Sequence, residues 1–338
     1  MFFQTVCGID LGTDTIKIRD KSGHYFLYDK NVIAKRGNSV IAVGEVAYDF
    51  YEKTPENVKV IWPMTGGVIA SSTEMEQVLY HLLKRFRGFG GRDNVIYIAV
   101  PGNITQVEKR AFFHVMSSKI SAGKVHLIEK GIADAVGAGT DVFSSKGHMV
   151  VNIGADTTEI AVISGGRVII SQTLKLGGRR LDEDILTMVR RKFNLNIGRK
   201  SAEQLKNNLA FMINGPKLEQ KVFGIHTLSG LPKSEIIPSL AVSVAIVDTV
   251  DAIVDNVRAV FNRLPPQIMG DVADEGIYLT GGVSMILNLD EYFRQELNVR
   301  IVHVPDPAYG TIRGIVGVMN DSALRKLTWS LRDLSTMR

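Results

Sequence analysis

The chain has 338 residues, 45% hydrophobic and 22% charged, and its 40 Lys and Arg against 35 Asp and Glu give a formal charge of +5. That is the balance of a soluble globular chain with more than one core, and so small a positive excess argues for no polyanionic partner. No run of roughly 18 apolar residues exists to cross a bilayer, and one cysteine, Cys7, excludes an internal disulfide and suits a reducing compartment.

The opening MFFQTVCGID has no basic region followed by an apolar core, so no secretory leader is expected. TVCGID and IKIRD read as strands joined by a turn over Leu11 to Thr15. Cys7 is expected as a small core residue. HYFLYDK and SVIAVGEVAYDF continue a small sheet segment, with Gly and Pro punctuation up to WPMTGG. Helical spacing of Met, Val, Leu and Phe predicts a helix over Glu74 to Phe86, and NVIYIAV predicts a buried strand ended by Pro101-Gly102. Thr105 followed three residues on by Glu108 is a capping-box signature opening the next helix. VHLIEKG leads into a helix of small residues, IADAVGAG.

A second start follows: HMVVNIG, a turn, EIAVIS and GGRVIISQTLKLGG. It repeats the beginning of the chain, so two related halves are expected, each with a glycine-bearing hairpin. Helices are predicted at LDEDILTMVRRKF and KSAEQLKNNLAFMI, a polar connector near Gly215 to Gly230, and a long helix from about Pro238 to Arg263. GIYLT, the turn GG and the strand RIVHV close the pattern before DPAYGTIRGIVGVM. Strands alternating with helices imply an α/β fold.

Three glycine turns each follow a strand: Asp10 to Thr13, Asn152 to Thr158, and Leu279 to Gly282. Glycine allows close approach of main-chain N–H groups to an anion, and the threonines add donors. Two of the turns sit at matching places in the two halves, which points to phosphate. Neither G-x-x-x-x-G-K-[ST] nor G-x-G-x-x-G is present, so P-loop and Rossmann readings lose support.

These residues carry a resemblance. CGIDLGTDTIKI, WPMTGGVIA, PGNITQVEKRA, LIEKGIADAVGAG, NIGADTTEIAV, LKLGGRRLDEDI, IGRKSAEQLK, GIYLTGGVSMILNLD and DPAYGTIRG resemble, in order and with consistent spacing, the motifs of the bacterial actins of the MreB/Mbl family. The match runs from about residue 5 to 320. The resemblance implies an α/β actin-like ATPase fold, two related lobes each with a mixed β-sheet flanked by helices, and ATP with Mg²⁺ between them. It implies four subdomains: 1–32 with 66–143 and 305–338, 33–65, 144–180 with 241–304, and 181–240. It also implies head-to-tail filaments, cytoplasmic and peripheral at the inner face of the cell membrane, that determine cell shape by organising wall synthesis. Other MreB-type filaments and wall-synthesis membrane proteins are the implied partners.

Carried over residue by residue, Asp10, Gly12, Thr13, Asp14, Thr15 and Lys17 fall on the first phosphate turn, Asp10 also acting on Mg²⁺ through a bound water. Gly154, Ala155, Asp156, Thr157 and Thr158 fall on the second. Glu203, Gln204, Leu205 and Lys206 fall on the ribose and adenine side, and Gly281, Gly282, Val283, Ser284 and Met285 on the adenosine motif. The departures concern catalysis. Asn152 stands where the family has Asp, Ala155-Asp156 where it has Gly-Gly, and Glu129-Lys130-Gly131 where it has Glu-Glu-Pro. Lys130 thus replaces the acid that orients the attacking water. Asp14 replaces Ala, and Arg179 replaces the Asp of Gly-Gly-Asp. A charged Lys cannot accept a proton from water, and a neutral Asn152 weakens the hold on a Mg²⁺ water shell.

The added acids Asp14 and Asp156 need a cation each, and Lys17, Lys130 and Arg179 are the candidates. Three readings stay open: an ATP-binding filament with hydrolysis slow or lost, hydrolysis through Glu129 as substitute, or a pseudo-actin that binds partners. A small-molecule kinase of the same superfamily is a further alternative, with no insert large enough to suggest its substrate pocket. Phe86 and Phe89, among basic residues in KRFRGFGG, are candidate membrane contacts. The seven histidines show no metal spacing. No recognition helix or aromatic interleaving accompanies Arg190, Arg191 and Lys192, so nucleic acid is not expected as a partner.

Overall fold

A computed structural model describes residues 5–23, 25–53, 57–85, 94–118, 123–331 and 333. The chain divides into two compact units: residues 1–145, 161–173 and 309–338 form one, and residues 146–160 and 174–308 the other.

The first unit begins with β1 (Val6–Leu11), β2 (Thr15–Asp20), β3 (Phe26–Lys30), β4 (Ile33–Arg36) and β5 (Ser39–Val43). Then come α1 (Glu45–Phe50), β6 (Val58–Ile61), β7 (Met64–Thr65), β8 (Val68–Ile69) and α2 (Ser72–Leu83), followed by β9 (Val95–Val100), α3 (Gln106–Ser117), β10 (Lys124–Glu129) and α4 (Lys130–Gly137). The main sheet has the order β10-β9-β1-β2-β3. It is mixed: β10, β9 and β1 run parallel, whereas β1, β2 and β3 alternate in direction. Every residue of β9 is buried, as an apolar strand covered on both faces requires. The core around it holds Ile9, Ile18, Leu79, Ile98 and Phe112. Cys7 belongs to this core, and burial first, then Asp20, pushes its thiol up to about 12.

Helix α3 starts as its sequence predicts. The Glu108 amide donates to Thr105 Oγ1 at 3.2 Å and the Thr105 amide to Glu108 Oε2 at 2.6 Å, a complete capping box. The expected helix over Glu74 to Phe86 is α2, beginning at Ser72 and ending at Leu83. Phe86 and Phe89 lie outside the described residues. The stretch expected as sheet through GEVAYDF turns helical at α1, where Asp29 Oδ1 accepts from the Glu45 amide at 2.5 Å.

The second unit holds β11 (His148–Ile153), and the chain continues through β12 (Thr158–Ser164) and β13 (Arg167–Leu174). It goes on with α5 (Gly178–Phe193), β14 (Leu195–Asn196), α6 (Arg199–Leu209), β15 (Glu219–His226) and β16 (Pro232–Pro238), then α7 (Ser239–Phe261), α8 (Pro266–Glu275), β17 (Ile277–Thr280), α9 (Leu289–Leu297) and β18 (Ile301–His303). Strands β11, β17 and β18 are parallel neighbours. Helix α7 buries Val242, Ile246, Val250, Ile253, Val257 and Val260, the helical stripe of a long core helix. The stretch expected as a polar connector, Gly215 to Gly230, instead contains β15, paired antiparallel with β16 from Glu219↔Pro238 to Ile225↔Pro232. Its outward positions Phe223 and Ile225 are apolar and exposed. The inside–outside contrast that marks a strand in sequence is therefore weak there.

The chain returns to the first unit with α10 (Gly310–Asn320), which lies against α4. The two backbones meet where a Cβ on Gly314 would stand 1.7 Å from the Ala133 carbonyl oxygen. Thr311 Oγ1 donates to the buried Asp134 Oδ1 at 2.5 Å in the same contact.

Candidate functional site

The first glycine turn joins β1 to β2. The Gly12 amide donates to the Thr15 carbonyl at 3.0 Å, closing the turn and leaving the amides of Thr13 and Asp14 without an acceptor among the described residues. Asn31, completely buried, holds the turn from its other side. Its Nδ2 donates to Gly12 O at 2.8 Å and its main-chain N to Asp14 O at 2.7 Å. A Cβ on Gly12 would stand 2.7 Å from the Thr15 oxygen, so this spacing needs glycine. Two unpaired amides in succession, held by a rigid hairpin, make an anion-binding concavity.

Its charges are balanced locally. Asp14 pairs with Lys30 at 2.9 Å, and Asp10 with Lys17 at 3.2 Å. Lys17 is one of the three cations expected to offset Asp14 or Asp156. It pairs instead with Asp10, because the two face one another across β1 and β2 in register, whereas Asp14 lies in the turn opposite Lys30. Lys17 Nζ also lies 3.4 Å from Thr15 Oγ1, and 5.9 and 6.0 Å from the ring centres of Tyr28 and Tyr309. Lys30 lies 4.5 Å from the Tyr48 ring centre. Burial raises the Tyr28 phenol above its ordinary range, Lys30 opposing and Asp14 adding to the shift.

The second turn repeats the first. The Gly154 amide donates to Thr157 O at 2.8 Å, and the amides of Ala155 and Thr157 have no acceptor among the described residues. Helix α5 starts against the outside of this turn: the Gly178 amide donates to Gly154 O at 2.9 Å and the Arg179 amide to Ala155 O at 2.8 Å. The positive end of α5 thereby adjoins the turn. Arg179 Nη1 reaches Asp156 Oδ1 at 2.9 Å, so Arg179 is the expected counter-ion. Thr158 Oγ1 donates to Leu176 O at 2.8 Å, and Asn152 is buried at the end of β11.

Beside it, Gly281 has φ +91°, and a Cβ there would stand 2.4 Å from Ile153 O. The Gly281 amide and Thr280 Oγ1 both donate to Pro307 O, at 2.9 and 2.8 Å. This segment is thus held to Pro307 and packs closely on Ile153 at the end of β11, with Gly282 and Met285 exposed and Val283 buried. On α6, Lys206 Nζ is bound by Asp182 Oδ1 at 2.7 Å and Gly178 O at 3.0 Å. Lys206 therefore ties α6 to the start of α5. Leu205 is core, Gln204 is exposed and Glu203 is half-buried.

The hydrolytic position is less favourable. Glu129 is the last residue of β10 and Lys130 the first of α4. Glu129 lines a cleft of about 320 Å³ with Ile132, Arg167, Val168, Leu327 and Trp329, and no residue of the first turn lines that cleft. Burial raises its carboxyl above the ordinary range, partly opposed by Lys109. Asp10, the carboxylate expected to act on a Mg²⁺-bound water, already faces an ammonium, and Asn152 supplies no charge. Among the described residues no three His, Cys, Asp or Glu side chains converge to hold a metal ion. The turns suit phosphate, and the carboxylate expected near a Mg²⁺ ion, Asp10, is shared with the Lys17 ammonium.

Lys30, Asn31 and Asp182 were not legible as site residues. DKN at the end of a strand gives no periodic or spacing signal, and only the fold brings it behind the turn.

Known proteins share this arrangement of elements. The sequence profile of the MreB/Mbl protein family matches residues 4–326. The cell shape-determining protein Mbl of Bacillus subtilis (strain 168) is 35% identical over 325 residues, covering 93% of this chain and 95% of that protein. The cell shape-determining protein MreB of Escherichia coli (strain K12) is 34% identical over 323 residues, 92% of each. Among solved structures, MreB5 of Spiroplasma citri bound to AMPPNP superposes with a TM-score of 0.90 at 27% identity, over 96% of this chain and 97% of that one.

Proposed function

Because the chain belongs to the MreB/Mbl family and has its actin-like α/β fold, we propose that it binds ATP through its glycine turns and assembles into filaments. The observation that carries this reading is the matched pair of turns. In each, a Gly amide closes on a Thr carbonyl, at 3.0 and 2.8 Å, and the amides of Thr13 and Asp14 in the first turn and of Ala155 and Thr157 in the second have no acceptor among the described residues. Phosphate oxygens are the natural acceptors for such amides. The AMPPNP-bound state of MreB5 from Spiroplasma citri supports the same assignment.

ATP supplies the phosphate charge that organises the turns; the chain supplies the donors and the balancing cations. Hydrolysis is slow or lost in this reading. Lys130 cannot take a proton from water while charged, and Glu129 lines a cleft to which the first turn contributes nothing. Phosphoryl transfer depends on placing that water.

The filament reading extends to a cytoplasmic polymer, peripheral at the inner face of the cell membrane, that organises wall synthesis with membrane partners and related filaments. The relatives' role in determining cell shape supports it. No described helix is long and apolar enough to cross a membrane, so attachment would be peripheral, with Phe86 and Phe89 as contacts and avidity along the polymer multiplying weak sites. Loss of vesicle co-sedimentation in Phe89→Asp tests that part.

The test of the nucleotide reading is calorimetric titration of ATP into wild type and Gly12→Val. Saturable binding by wild type and its loss in the folded variant are expected. A folded wild type that takes up no ATP contradicts the proposal.

A further inference from the structure

The first turn carries a cation of its own where a metal ion was expected. Asp10, Lys17 and Tyr28 lie side by side on β1, β2 and β3: Asp10 is in register with Lys17, and Lys17 with Tyr28. The Lys17 and Asp10 side chains are only 9% and 8% exposed, at a separation of 3.2 Å. Tyr28 and Tyr309 lie about the ammonium at 5.9 and 6.0 Å, a distance at which an aromatic face attracts a cation. The same ammonium is 3.4 Å from Thr15 Oγ1, so it sits at the turn whose amides await an anion.

A buried ion pair braced in this way is held in one place. Separating it would leave a carboxylate buried without compensation. Mg²⁺ near this carboxylate would have to share it with the ammonium.

We propose that Lys17 is a built-in substitute for the divalent ion, so that this protein binds nucleoside triphosphate without requiring Mg²⁺. The inference rests on the nucleotide reading above and sharpens it. Lys17 is the specificity-determining residue: its fixed positive charge stands beside the phosphate turn, and Asp10 positions it.

The experiment is titration of ATP into the full chain in excess EDTA and in excess Mg²⁺, for wild type and Lys17→Met. Wild-type affinities in the two conditions are expected to agree within about threefold, less than the 1.4 kcal/mol that a tenfold change represents. Lys17→Met should bind ATP about tenfold or more weakly in EDTA and recover in Mg²⁺, because Asp10 is then released to a metal-bound water. If Lys17→Met does not fold, Lys17→Met with Asp10→Asn leaves no orphan charge and should show the loss in EDTA without recovery in Mg²⁺.

Wild-type binding that falls about tenfold or more in EDTA overturns the proposal, as does unchanged EDTA affinity in a folded Lys17 variant. Failure of folded wild type to bind ATP in both conditions overturns the nucleotide reading itself. That result is distinct from metal-dependent binding, which leaves the nucleotide reading intact.

Discussion

Replacing Lys30 tests whether the first turn is balanced as described. Lys30 Nζ lies 2.9 Å from Asp14 Oδ2, with the two side chains 11% and 26% exposed. At that separation and an effective dielectric of about 20, the attraction is roughly 6 kcal/mol before desolvation. Exposed pairs retain about 0.2–1 kcal/mol, and removing one partner of a fully buried pair costs about 3–5 kcal/mol. This pair lies between those limits, so Lys30→Met should cost about 2–3 kcal/mol. That figure includes about 0.5–1 kcal/mol for the lost contact with the Tyr48 ring, which persists whatever residue occupies position 14. A cycle with Lys30→Met, Asp14→Asn and the double variant removes that contribution and should leave a coupling of about 1–2.5 kcal/mol. Urea unfolding of the four proteins under one set of conditions measures it. A coupling under about 0.4 kcal/mol, within the usual error of additivity, would refute the claim that Lys30 neutralises the acid added to this turn.

Three further outcomes follow from the same geometry. Gly281→Ala forces a Cβ to within 2.4 Å of Ile153 O at φ +91°; it should destabilise the chain by about 2–4 kcal/mol, and an unchanged melting temperature would contradict the described approach. Glu129 is an acid whose carboxyl is raised by burial, so the native state binds more protons than the unfolded one between the ordinary carboxylate value and the raised one. Its contribution to stability therefore falls as pH rises through that window, and Glu129→Gln should stabilise the protein at neutral pH and flatten that part of the pH profile; a destabilised Glu129→Gln at neutral pH counts against it. Restoring both acids, Lys130→Glu with Asn152→Asp, should raise phosphate release from ATP by about 10-fold or more, and no rise would show that something else limits hydrolysis.

Much of the fold was legible because local and tertiary preferences agree. Thr105 and Glu108 specify a helix start by themselves, and the capping box forms as its spacing requires. β9 reads as a buried strand because VIYIAV is apolar at every position, as a covered parallel strand must be. The hairpin β15–β16 was missed for the opposite reason. Its outer positions Phe223, Ile225 and Ile236 are exposed apolar residues, so alternation in polarity vanishes although alternation in burial remains. Helix α1 escaped because six residues are too short for a periodic signal, and its start depends on the distant Asp29 carboxylate.

The site divides in the same way. The glycine turns follow strands and are visible as turns, and Arg179 is one of three candidate cations for the added acids, its pairing with Asp156 being set by the fold. Lys17 was singled out, yet its partner was not, since only strand register sets it across from Asp10 rather than Asp14. Lys30 and Asn31 reach the first turn from β3 and the residue after it, a relation that no local pattern encodes.

The most direct test of main-chain phosphate binding is hydrogen exchange of the wild-type protein, followed peptide by peptide with and without saturating ATP. ATP should slow exchange in the peptides containing Thr13 and Asp14 and those containing Ala155 and Thr157, whose amides have no acceptor among the described residues. ATP that binds while leaving both peptides exchanging at their unliganded rates would show that the nucleotide is held elsewhere.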